Sequence, residues 1–261
     1  MGAGHTHPLH VHEHSRTHHL PAHVKVGATL ATAALVATAP RDDVVTFAGA
    51  AVVLSLVARA SRVPGRFLIA RLAVTTPFLV AALLLPFVAS GPRTDVLGVP
   101  LAVEGLWGAL GLASRTLLGA TASLLLVATT EVPALLRGLE RLRVPPVLTQ
   151  IAATMLRYLE VIVGEVGRQR RAMTARGYDP RWLWQLGPLT AGLGVLFVRA
   201  YERGERVHAA MLARGFTGRM PVLVSERPAS AGDWATALAV PVLVAVARTV
   251  GALMGGAEGW A

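Results

Sequence analysis

The sequence predicts an all-α integral membrane protein, with about five transmembrane helices and a cytoplasmic layer of long amphipathic helices. Three observations carry that reading. The 261 residues are 53% hydrophobic and 15% charged, with a mean hydropathy of +0.53, too apolar for an ordinary soluble domain. Runs of small apolar residues alternate with short polar turns. The arginines, 24 of the 25 basic residues, gather in a few segments and so give the chain an inside and an outside. Cysteine is absent, which excludes disulfides, thiolate metal sites and cysteine nucleophiles.

Residues 1–23 read as a flexible cytoplasmic arm, too polar to fold alone. The arm holds His5, His7, His10, His12, His14, His18, His19 and His23, eight of the nine histidines. Imidazoles in such a tract suit loose contact with a late first-row divalent ion, Co2+ or Ni2+. Alternating histidines on a flexible arm fix no geometry, so no tightly bound cofactor is expected.

Residues 24–130 read as a membrane domain of four spans. Residues 24–39 and 44–58 are the first two, joined by the turn Pro40-Arg41-Asp42-Asp43. Both are short against the roughly 20 residues of a spanning helix, although small residues permit close packing. A loop carrying Arg59, Arg62, Arg66 and Arg71 leads to a third span at residues 72–90. Residues 91–104 form a loop, and residues 105–130 the fourth span, where Arg115 must face protein, water or a headgroup. Positive-inside counting puts the four-arginine loop and the arm inside, and the two net-acidic turns outside.

Residues 131–227 contain 15 of the 24 arginines against eight acids, so this whole stretch is kept on the inner side. Apolar residues recur at helical spacing, as in Leu148, Ile151, Met155, Leu159, Ile162 and Val166. Pro145 and Pro146 open the first long helix, and Asp179-Pro180 and Gly187-Pro188 break the chain before the second. Trp182 and Trp184 suit a membrane interface. Residues 228–261 hold the last span, within which Arg248 needs a polar neighbour.

The inner region contains a repeat. RQRRAMTARGYDPR (residues 168–181) and RVHAAMLARGFTGR (residues 206–219) are 38 residues apart and identical at seven of 14 positions. Each copy ends a helical pattern with Gly177 or Gly215 in the place of a left-handed cap. Arg176 and Arg214 then project from the last helical turn, beside unpaired carbonyls. Two such tips imply two equivalent docking points, and hence a partner that is itself paired. Alone, either arginine is an ordinary helix-end charge; the duplication is what is specific. His208 replaces Arg170 in the second copy and reads as a packing or hydrogen-bonding residue.

On these residues the chain resembles the transmembrane T component of energy-coupling-factor (ECF) transporters, and most closely its cobalt branch, the CbiQ/EcfT family. Ala175-Arg176-Gly177 and Ala213-Arg214-Gly215 match that family's paired Ala-Arg-Gly signatures. Leu20-Pro21-Ala22-His23-Val24-Lys25 before the first span is similar to the family's entry segment, and Leu142-Arg143-Val144-Pro145-Pro146 before a long helix carrying Arg157-Tyr158 also fits the resemblance. The resemblance implies a non-catalytic subunit that couples two ABC ATPases (EcfA/CbiO-like) to a substrate-binding S component (CbiM-like, with or without a CbiN-like subunit). ATP would be bound by the partners, and cobalt is the implied substrate, with nickel or a vitamin as alternatives. Arg176 and Arg214 would each enter an ATPase groove, ringed by Met173, Tyr178, Met211 and Phe216. Guanidinium suits that role as a planar, bidentate and permanently charged group.

Other classes fit less well. A metalloenzyme would need a helical His-Glu-x-x-His or convergent ligands, and His12-Glu13-His14-Ser15 lacks the spacing. A Gly-x-Ser-x-Gly elbow and a phosphate-binding loop are both missing. Scarce aromatics and the membrane spans argue against nucleic acid as partner, leaving membrane lipid as the other surface in contact. A stand-alone channel lacks acidic or histidine residues within the spans.

Overall fold

The computed structural model describes residues 20–96, 99–178, 182–218 and 227–258. The chain divides into two compact units, Met1–Leu142 with Glu226–Ala261, and Arg143–Ser225.

In the first unit, α1 (Ala22–Ala37) and α2 (Val44–Ala60) form a hairpin. The turn between them stops α1 at Pro40, and Asp43 caps α2 by accepting from the Thr46 amide at 2.9 Å and hydroxyl at 2.5 Å. α3 (Gly65–Leu72) continues through a 3-10 turn at Ala73–Thr75 into α4 (Thr76–Val88). A two-stranded antiparallel hairpin, β1 (Arg93–Val96) and β2 (Val99–Ala102), delivers the chain into α5 (Val103–Thr129). α6 (Val132–Arg141) and, after the second unit, α9 (Ala231–Glu258) complete it.

The core is built from small and branched residues: Val36, Phe47, Ala50 and Leu54 meet Leu118, Ala122, Leu125 and Val244. Close helix approach replaces bulk. A Cβ on Gly49 would stand 2.6 Å from that of Ala247, so α2 and α9 pack nearly backbone to backbone.

Three cations within this unit terminate on helix ends. The Arg115 guanidinium donates to the Ala39 carbonyl at 2.5 Å. Arg248 donates to the Thr38 hydroxyl at 2.8 Å and carbonyl at 3.1 Å, so both serve the C-terminal end of α1. Lys25, 9% exposed, donates to the Thr129 carbonyl at 2.9 Å, at the end of α5. The polar neighbours that the two membrane arginines require are thus carbonyls at a helix C-terminus, where positive charge is favoured.

Gly65–Val88, Val103–Thr129, Pro146–Ala175 and Ala231–Met254 are long and apolar enough to cross a membrane, with α1 and α2 as shorter apolar helices. The chain is an all-α integral membrane protein. Two local expectations differ from the structure. Residues 59–71 are not a loop: only residues 61–64 leave the helices, and Arg66 and Arg71 lie on α3. The Arg71 guanidinium sits 4.3 Å over the Phe67 ring, so its charge is compatible with the helix. Residues 91–104 contain the β hairpin, whose four-residue strands are too short for a period-two pattern to declare itself. Residues 132–141 form α6, ahead of the first long helix of the inner region.

In the second unit, α7 (Pro146–Ala175) opens on a proline at its first position, and α8 (Gly187–Ala213) follows a 3-10 turn at Leu183–Leu186. Many large apolar side chains on both helices are exposed, among them Leu148, Ile151, Met155, Leu193, Phe197 and Val198.

Two glycines on α5 test the packing of the first unit. A Cβ at Gly105 would stand 2.6 Å from the Pro86 Cα and 2.7 Å from the Leu85 oxygen, both backbone. Gly105→Ala should therefore force α4 from α5 and destabilise by about 1–3 kcal/mol, seen as a lower thermal midpoint in detergent. Gly119→Ala meets open space and should be neutral or stabilising by up to about 1 kcal/mol.

Candidate functional site: two matched helix ends

α7 and α8 end in the same way. The Tyr178 amide donates to the Met173 carbonyl at 3.1 Å and the Gly177 amide to the Thr174 carbonyl at 2.9 Å. In the second copy the Phe216 amide donates to Met211 at 3.0 Å and the Gly215 amide to Leu212 at 3.0 Å. These are the paired bonds of a Schellman cap. Gly177 and Gly215 take φ of +79° and +83°, which glycine adopts without steric cost. Arg176 and Arg214, at φ −90° and −96° with ψ 11° in both, are the last residues before the reversal.

One expectation changes. The carbonyls beside each arginine are not unpaired: the cap closes two of them in each copy. Neither guanidinium is therefore needed by its own helix. Both arginines are exposed, and neither guanidinium makes an ion pair or hydrogen bond with another described residue. Met173 with Tyr178, and Met211 with Phe216, are half-buried beside them, the same accessibility class at both tips. The Tyr178 hydroxyl also donates to the Gln185 carbonyl, a tie that Phe216 cannot make.

Glycine is not obligatory for this cap. At the end of α2, Arg62 holds the equivalent position at φ +53°, with Arg62 and Val63 amides donating to the Arg59 and Ala58 carbonyls at 3.0 and 3.1 Å. A Cβ at Gly177 or Gly215 would meet nothing within 4 Å. Their absent side chains lower the backbone cost and also leave bare surface next to each arginine.

α7 and α8 are joined by Glu165, whose carboxylate lies 3.3 Å from Arg199 and 3.3 Å from Arg203. Glu165 and Arg203 are 38 residues apart, the offset of the repeat, so the two helices meet at equivalent positions. Each tip then lies 11 residues beyond that ion pair, roughly 16 Å along either helix. Sequence reasoning missed that Glu165 joins the two copies; the shared offset is the signal that would have found it. Gly192 packs on Gln169 and Met173 nearby.

His208 is exposed rather than packed. His5, His7, His10, His12, His14, His18 and His19 lie outside the described residues, as do Arg181 and Arg219. Among the described residues no group of three or more histidines and acids is placed to hold a metal. His23 is buried edge-on against Trp234, ring centroids 5.9 Å apart.

The helices and their apolar surfaces define a multi-pass, all-α membrane protein, with an exposed arginine at the end of both α7 and α8. A family model described as CbiQ, cobalt transport protein, matches residues 13–223 and so spans both Ala-Arg-Gly motifs. The chain is 32% identical over 171 residues to the cobalt transport protein CbiQ of Rhodobacter capsulatus, covering 65% of this chain and 68% of the relative. It is 29% identical over 113 residues to a fused cobalt transport protein CbiMQ of Methanocorpusculum labreanum, covering 43% of this chain and 19% of the relative. An uncharacterised protein of Methanocaldococcus jannaschii is 28% identical over 125 residues, 48% of this chain and 47% of the relative. The chain belongs to the CbiQ family of cobalt transport proteins.

The ion pair between repeat-equivalent positions is testable by charge swap. Glu165→Arg should lower oxidative cross-linking between cysteines placed at Gln169 and Gly192, while Glu165→Arg with Arg203→Glu should restore it. Stability should change by no more than about 1 kcal/mol, since the arginines are partly solvated.

Proposed function

We propose that this protein is the transmembrane coupling (T) component of an energy-coupling-factor importer for cobalt. It passes ATP-driven motion from two ABC ATPases to a CbiM-like substrate-binding partner in the cell membrane. Its N-terminus and both arginine tips lie on the cytoplasmic side. The chain itself catalyses nothing; its ATPase partners bind and hydrolyse ATP.

The observation that carries this reading is the pair of tips. Two guanidiniums, each freed from its own helix by a closed backbone cap and each bordered by a methionine and an aromatic, are equivalent in chemistry. Such a pair suits two identical acidic grooves. Arginine set among apolar contacts is the usual composition of an interface hot spot, and its fork pairs carboxylates bidentately. The sidedness follows from charge: residues 131–227 hold 15 of the chain's 24 arginines. α7 is long and apolar enough to cross, but exposed Arg157 and Glu160 near its middle would be costly in lipid. We read α7 and α8 as lying along the inner face. The fused CbiMQ relative supports a CbiM-like protein as the partner, and the exposed apolar side chains of α7 and α8 are the surface it would share with lipid. Residues 1–19 we read as a collecting arm that raises local Co2+ concentration without holding it tightly; His23, buried in α1, is not part of it.

Arg176→Ala with Arg214→Ala should abolish ATP-dependent cobalt uptake and cut ATPase co-purification at least tenfold, with each single variant intermediate. Loss of a buried, charge-paired arginine at such an interface costs on the order of 2–5 kcal/mol, enough for that effect. Wild-type uptake by the double variant would falsify the role. In the same assay, removing residues 2–19 should lower uptake at limiting but not at saturating cobalt.

A further inference from the structure

The passage from α2 into α3 carries Arg59, Arg62 and Arg66 within eight residues. All three are exposed, and no guanidinium among them makes an ion pair or hydrogen bond with another described residue. Arg71 differs, since it lies over the Phe67 ring. The segment supplies no counter-charge of its own: residues 44–94 contain no aspartate or glutamate. Asp233, at the start of α9, is already held by Arg227 at 2.7 Å.

The backbone from which these side chains leave is fixed. The Ser61, Arg62 and Val63 amides donate to the Val57, Arg59 and Ala58 carbonyls at 2.8, 3.0 and 3.1 Å. Val63 is buried in the core of the unit, and Pro64 caps the start of α3. Arg62 sits at φ +53°, where glycine has no steric cost and an L side chain does. Gly177 and Gly215 show the cheaper solution for such a cap. The backbone therefore gains nothing from an arginine at position 62; what the position gains is the guanidinium.

The neighbours define what the cluster faces. On α2, Val52, Leu56 and Arg59 are spaced i, i+4, i+7 and are all exposed, an apolar stripe that ends in charge. On the other side of the turn Arg66, Ile69, Ala70 and Ala73, spaced i, i+3, i+4, i+7, are exposed as well. That second stripe opens Gly65–Val88, a stretch long and apolar enough to cross a membrane. Charge at the end of a lipid-facing stripe stands at the level of the headgroups, with the arginine stems lying along the acyl boundary.

We infer that the α2–α3 turn binds an anionic membrane phospholipid, its phosphodiester among Arg59, Arg62 and Arg66 and its acyl chains along the exposed stripes of α2 and α3. Guanidinium forks pair phosphate oxygens bidentately, and clustered arginines beside a span favour acidic headgroups. One amphiphile satisfies both halves of the surface. A water-soluble acidic partner reaches the guanidiniums alone and leaves the stripes to something else.

The test is native mass spectrometry of the purified full-length chain in detergent, offered dioleoylphosphatidylglycerol and dioleoylphosphatidylethanolamine together. Wild type should retain phosphatidylglycerol in preference by at least about tenfold, the effect of two or more arginines at a membrane surface. Arg59→Gln and Arg66→Gln should each lower that preference about fivefold. Arg62→Gly should lower it equally while keeping or raising the thermal midpoint of the lipid-free chain, because glycine suits that backbone. Loss of lipid in this variant is then not loss of the turn. Arg93→Gln removes an exposed arginine beyond the other end of Gly65–Val88 and should leave the preference unchanged. Wild-type preference in Arg62→Gly, or in the other two turn variants, would overturn the inference. An equal fall in Arg93→Gln would do so too, by reducing the effect to diffuse charge. So would full competition by glycerol 3-phosphate alone, or capture of a polypeptide instead of lipid by a photo-cross-linking residue at position 62 in cells.

Discussion

The backbone closure at the ends of α7 and α8 is the interaction on which the rest turns. A helix C-terminus leaves carbonyls without partners and carries partial negative charge, so a nearby cation is ordinarily drawn onto it. This chain does that at two helix ends: Lys25 goes to the end of α5, and Arg115 and Arg248 go to the end of α1. At α7 and α8 the amides after the helix take the carbonyls instead. Arg176 and Arg214 are then left with nothing of their own to satisfy. A charge that is redundant to its own fold is available to another protein, and it is already held at a fixed point by the cap.

Duplication gives that availability its meaning. Because Glu165 and Arg203 occupy equivalent positions in the repeat and pair with each other, the helices meet where their numbering coincides. The two tips extend equally far beyond that point. A partner that is itself a dimer of identical subunits would then encounter like with like, and a displacement of one tip relative to the other would report on the spacing between those subunits. Rigid helices carry such a displacement well. Once the caps are closed, few soft dihedrals lie between the tip and the crossing.

Much of this was legible in the sequence, for physical reasons that differ by element. The spans declared themselves because lipid demands long apolar helices, and the caps because only the Arg-Gly reversal, repeated with an aromatic behind it, gives both copies one ending. Arg115 and Arg248 announced a need for polar partners, but the partner carbonyls, 76 and 210 residues away, lay beyond any local pattern. The helical state of residues 65–72 was hidden by Arg66 and Arg71, whose long stems let a charged residue ride on a helix at the membrane boundary. The hairpin at β1 and β2 was too brief to show alternation.

The absence of cysteine makes the central claim directly measurable. Single cysteines would be placed at Arg176 and at Arg214, each tested against a single cysteine in the groove of the ATPase, in membranes containing the whole transporter. The account predicts that both positions form disulfides with the ATPase, and that the variant carrying both captures two ATPase subunits on one chain. If only one position reacts, or if either is labelled by a membrane-impermeant thiol reagent from outside intact cells, the two tips are not paired docking points and the account is wrong.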